Sequence, residues 1–137
     1  SPLGFVIKGK DETILYMTDT GYVSQKNMEY IKNFDYYIFE SNHDIEMLMN
    51  TRRPLFLKNR IFGDKGHLNN EYSAHVMAQV IGENTKEICL AHLSQEANTK
   101  EMALDTYQRV FDEEHIYFDN IKIADQKEIV SGGHYEN

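Results

Sequence analysis

Cysteine is almost absent from this chain of 137 residues: Cys89 is the single one. That excludes an internal disulfide and any multi-cysteine zinc or iron–sulfur site. No apolar run approaches the roughly 20 residues that span a bilayer. No basic segment leads into an apolar stretch, so no secretory leader is visible. These absences predict a soluble, cytoplasmic protein with no membrane partner. Positive charge is also scarce, with 14 Lys and Arg against 22 Asp and Glu and a formal net charge of -8. Such a surface repels phosphate backbones and offers no long-range steering toward nucleic acid. It leaves an acidic metalloenzyme open, because a bound cation supplies local positive charge that side-chain counting omits. The chain has no Gly-rich phosphate loop, no GxSxG elbow, no His-x-His and no initiator Met.

What is present suits one compact domain. Hydrophobic residues make up 41% and charged residues 26% of the chain, a balance that favours a packed core over disorder. Phe5–Ile7 and Thr13–Met17 are predicted strands joined by a turn. Ser24 is an N-cap for a short helix reaching about Lys32. Asp35–Glu40 reads as a buried strand, followed by a helix from Asp44 with Ile45 and Leu48 inward. Pro54 interrupts that helix and opens another to about Phe62. Asn69 or Asn70 caps a helix whose apolar face is Ala74, Met77, Ala78 and Ile81, with Gly82 as its stop. Glu87–Leu93 is the clearest strand, and Thr99 opens a long helix carrying Met102, Ala103, Tyr107, Val110 and Phe111. Short strands follow around Ile121–Ala124 and Glu128–Val130. Strands alternating with helices predict α/β layers with a mixed sheet.

The polar clusters share a location at strand ends, where ligands gather in open α/β sheets. Asp19 follows one strand, Glu40 and His43 another, and His92 stands near the end of a third; His67 lies in a Gly-containing loop. Imidazole and carboxylate together suit zinc, manganese or iron. Each group also has a structural role open to it. Asp19 can make an Asx-turn, Glu40 can bond a backbone amide, and His43 and His67 can face water or a carbonyl. His92 is the least comfortable as filler, because buried ring nitrogens need partners. On the same strand, Cys89 points to the face opposite His92 and reads as a small buried apolar residue.

Four words in order carry more than the spacing does. They are MTDTGYVS around Asp19, FESNHD from Phe39 to Asp44, GHLNN from Gly66 to Asn70, and LAHLSQEAN from Leu90 to Asn98. Together they resemble the WalJ/YycJ (VicX) branch of the metallo-β-lactamase-fold hydrolases, over about Phe5 to Asn98. The resemblance implies that Asp19 bridges two divalent metals (zinc or manganese), that His92 ligates the second, and that His67 sits beside the scissile phosphate. Glu40, His43 and Asn70 would orient those ligands from behind.

Two departures matter. The family's HxHxDH word and a further upstream His are missing, so the chain reads as residues 1–137 of the second half of an αββα sandwich: one mixed sheet with helices on one face. Asn69 stands where the family more often has Ser. The implied parent is a metal-dependent phosphodiester hydrolase, a DNA exonuclease, with the present chain holding metal weakly and turning over negligibly. A homo-oligomer through the exposed sheet face would follow. The rival readings are a metallo-hydrolase of small cyclic phosphodiesters or thioesters, and a non-catalytic interaction module.

Overall fold

The computed structural model describes residues 3–18, 23–50 and 67–124. Among them lie the strands β1 (Leu3–Lys8), β2 (Thr13–Thr18), β3 (Tyr36–Glu40), β4 (Glu87–Ala91) and β5 (Ile121–Ile123). The helices are α1 (Gln25–Tyr30), α2 (Ile45–Met49), α3 (Asn70–Val80) and α4 (Lys100–Glu113). The strands form one sheet in chain order, with β1 antiparallel to β2 and every later pair parallel. The mixed α/β sheet expected from the alternation of elements is therefore what the chain forms.

Register decides which face is covered. Leu15 pairs with Tyr37 and Met17 with Phe39. Tyr37 and Phe39 pair in turn with Ile88 and Leu90, and these with Ile121 and Ile123. Because directly paired residues share a face, this set forms one apolar layer. It packs with Met28 of α1, Ala74 and Met77 of α3, and Ala103, Tyr107 and Phe111 of α4. Each large side chain so buried contributes roughly 1.5–3 kcal/mol. The opposite face carries Ile14, Tyr16, Ile38, Cys89 and Lys122, none of which joins that core. The helices among the described residues thus pack on one side.

Several local expectations change. Leu48 is fully buried but Ile45 is 41% exposed, because α2 has only one full turn to aim inward. Gly82 takes no positive φ, and α3 ends instead on an extended Ile81. Glycine is needed there for a close approach: a Cβ at 82 would lie 2.4 Å from Asn33 Oδ1. Cys89 is half-buried on the face opposite the helix-covered core, so it is not the fully buried apolar residue expected. Strand β4 stops at Ala91, two residues early. The helix after Pro54 and the strand at Glu128–Val130 fall outside the described residues. Among the described residues no helix is long and apolar enough to cross a membrane.

Candidate functional site

Parallel pairing brings the carboxyl ends of β3 and β4 to one rim, with Glu40 opposite Ala91 in the last paired step. Glu40 is fully buried. A buried carboxylate must be compensated by hydrogen-bond donors or opposite charge. Here Oε2 receives Nδ1 of His67 at 2.6 Å and Nδ1 of His92 at 2.9 Å. The Leu68 N–H donates to Oε1 at 3.4 Å. The two rings lie edge to face with centroids 5.3 Å apart. With Nδ1 facing the carboxylate in both rings, Nε2 of each imidazole is turned to the far edge.

Each side chain is delivered by backbone geometry. His67 precedes α3, which is capped by the Asn69 side chain accepting from the Tyr72 N–H at 2.8 Å. His92 has φ 62°, in the left-handed region that costs an L-residue on the order of 1 kcal/mol. That turn ends β4 early and is the reason the predicted strand through Leu93 is cut short. Beneath the rim lies a layer of buried amides and hydroxyls. Asn70 accepts from Ser41 Oγ at 2.6 Å and donates to Asn98 Oδ1 at 2.8 Å. Asn98 Nδ2 donates to the Ser41 and Asn42 carbonyls at 3.0 and 3.1 Å. Ser73 Oγ donates to the Glu40 carbonyl at 2.6 Å and meets the Tyr107 hydroxyl.

Of the residues singled out in the sequence, the structure brings together Glu40, His67 and His92. His43 is fully buried and its Nδ1 faces Asn42 Oδ1 at 3.2 Å, one layer below. Asn70 lies in that same layer. Asp19 lies outside the described residues. Ser41, Asn42, Ser73, Asn98 and Tyr107 were not assigned a part in the site. Four of the five have short polar side chains, whose burial no periodicity announces. Their one signal was that Ser41, Asn42 and Asn98 stand inside the ESNHD and HLSQEAN words.

Residues 1–93 match the β-lactamase superfamily domain. The chain belongs to that superfamily. It is 43% identical over 112 residues to the exodeoxyribonuclease YycJ of Bacillus anthracis, a match covering 82% of this chain and 42% of that protein. It is 45% identical over 93 residues to the exodeoxyribonuclease WalJ of Streptococcus pneumoniae, covering 68% of this chain and 35% of that protein. The superfamily chain thus spans about two fifths of the length of the curated relatives it matches. A solved diphosphatase from the PhnP family aligns with 90% of this chain and 39% of its own at TM-score 0.47 and 15% identity, too slight a likeness to extend the fold description.

Membership in this superfamily implies divalent metal, and the donor set fits one. Glu40, His67 and His92 each offer an atom within 4.8 Å of the others. Two ligands of one tetrahedral ion stand about 3.4 Å apart when metal–ligand bonds are about 2.1 Å. The 2.6 and 2.9 Å separations at Glu40 are hydrogen bonds instead. Glu40 therefore suits the part of an orienting carboxylate, and the Nε2 edges are those suited to metal or phosphate.

Proposed function

We propose that this chain is the C-terminal half of a two-metal phosphodiester hydrolase and that the whole protein is a DNA exonuclease acting with zinc or manganese. The observation that carries the reading is the convergence of His67 and His92 on the buried oxygen of Glu40, at a strand-end rim in a β-lactamase superfamily domain. The names of the two relatives supply the substrate class. On this reading His92 would hold a metal through Nε2, and Asp19 would supply a carboxylate to the metal pair. His43 and Asn70 support the layer below. Divalent cations held there would supply Lewis-acid polarisation of the phosphate and a water nucleophile at neutral pH. They also offset the acidic surface locally.

The protein's own groups divide the remaining work. Glu40 holds both rings by their Nδ1 edges and leaves Nε2 of His67 directed away from the carboxylate, where a proton can be held for the departing oxygen. Beside His92 opens a cavity of about 260 Å³ walled in part by Leu93, Gln95, Thr99 and Lys100, which gives a nucleotide room next to the rim.

The test is Mn²⁺-dependent release of nucleotides from end-labelled linear DNA by the full-length protein. His67→Ala is expected to lower the rate by roughly 10²–10⁴-fold, the range for a lost general acid, and His92→Ala to abolish most of the activity by removing a metal ligand; the chain of 137 residues should show negligible turnover. Full activity in either variant overturns the reading.

A further inference from the structure

We infer that Asn42 is the positioning residue that sets His92: its side-chain amide holds the left-handed turn that swings the imidazole back over Glu40. The inference rests on the proposed reading only where it concerns metal. Its geometric part stands on contacts of the chain itself.

After Ala91 the β3–β4 ladder does not continue. The Ala91 carbonyl accepts from the Ser41 N–H at 3.1 Å, and the Ser94 N–H donates to the Asn42 carbonyl at 2.7 Å. His92 is looped out between these two anchors with φ 62°. A non-glycine residue persists in that region only when its surroundings over-determine it. Among the described residues, a side-chain contact that holds the loop backbone is Asn42 Nδ2, donating to the His92 carbonyl at 2.8 Å. The other end of the same amide, Oδ1, faces His43 Nδ1 at 3.2 Å. The Asn42 backbone is tied too, its N–H donating to the Leu68 carbonyl at 2.8 Å and its carbonyl accepting from Asn98 Nδ2. Leu68 adjoins His67. One residue therefore spaces both histidine-bearing loops around Glu40.

The residue type follows from the contacts. The His92 carbonyl demands a donor and the protonated edge of His43 demands an acceptor, at opposite ends of one short planar group. An amide satisfies both. Aspartate would keep the acceptor and set a carboxylate against a carbonyl; alanine would lose both.

The experiment uses Asn42→Ala and Asn42→Asp in the chain as it stands. Long-range ¹H–¹⁵N spectra of the histidine rings are recorded without metal, with zinc titrated separately by calorimetry. Both variants should keep the far-UV circular dichroism of the parent. The His92 signal of an Nδ1-protonated ring bonded to carboxylate should vanish or shift, while that of His67 changes less. Zinc affinity should fall about 10- to 100-fold, the usual effect of losing a group that orients a ligand. If Asn42→Ala fails to fold, Asn42→Asp decides the matter on the same signals. Unchanged His92 signals in a folded variant overturn the inference. A parent chain that binds no zinc is the behaviour of half a metal site and leaves the ring signals to decide: their movement in a folded variant supports the positioning role, whereas the metal reading stands or falls on the full-length protein.

Discussion

Tyr37 shows what a single buried polar atom demands of this core. The residue is fully buried. Its hydroxyl donates to the Ile31 carbonyl, lies 3.2 Å from the Val80 carbonyl, and accepts the Phe34 N–H at 3.0 Å. Burial pushes the phenol from 10.0 up to about 12, because the phenolate would lose its hydration. The unfolded chain ionises first, so this contribution is whole below pH 10 and is lost as pH climbs toward 12. Tyr37→Phe should cost about 1 kcal/mol at neutral pH and flatten the alkaline loss. Tyr107, raised for the same reason, keeps part of the slope in place. Urea melts of both proteins at pH 8 through 11.5 check this; parallel slopes would contradict it. At this scale the sequence marked His67, His92 and Glu40 because titratable side chains at strand ends are conspicuous. It did not mark Asn42 or Asn98, since nothing local tells a buried amide from a turn residue.

Helix beginnings were the most legible feature of the next scale. Ser24, Asp44, Asn69 and Thr99 each accept from the backbone N–H three residues on, and a short oxygen-bearing side chain before an amphipathic run is a local signal. Helix ends and strand ends were less legible because they depend on distant partners: Gly82 answers to Asn33, and β4 stops where Asn42 captures His92. Helix α4 links this scale to the rim. Its cap Thr99 accepts from the Met102 N–H at 3.0 Å and follows Asn98, the hub of the buried amides. Thr99→Ala should therefore lower stability by about 1 kcal/mol, or roughly 3–5 °C in Tm. The Asn98 contacts are made by side chain and backbone that the substitution leaves in place, so the His67 and His92 ring signals should not move. Calorimetry with the same ring spectra tests both parts. A moved rim would mean that α4 and the site are coupled more tightly than these contacts provide.

At the scale of the whole molecule the telling feature is an asymmetry between the two faces of the sheet. Among the described residues one face is packed with helices; the other presents Ile14, Tyr16, Ile38 and Cys89 half-buried, with Ile7 at the hairpin 36% exposed. That arrangement follows from the family resemblance and not from periodicity alone, because Tyr36–Phe39 is apolar on both faces. Half-exposed apolar strips of this kind mark surfaces that associate. A second copy is one partner such a strip can take, by pairing with itself about a two-fold axis. Sedimentation velocity should accordingly show a mass that rises with concentration. Ile38→Lys, placed mid-strip between Tyr16 and Cys89, should return the chain to a monomer, because a buried ammonium at such a contact is opposed by desolvation. Circular dichroism of the variant should match the parent, as Ile38 points away from the helix-covered core. A parent chain that stays monomeric as concentration rises would mean that this strip does not pair with itself.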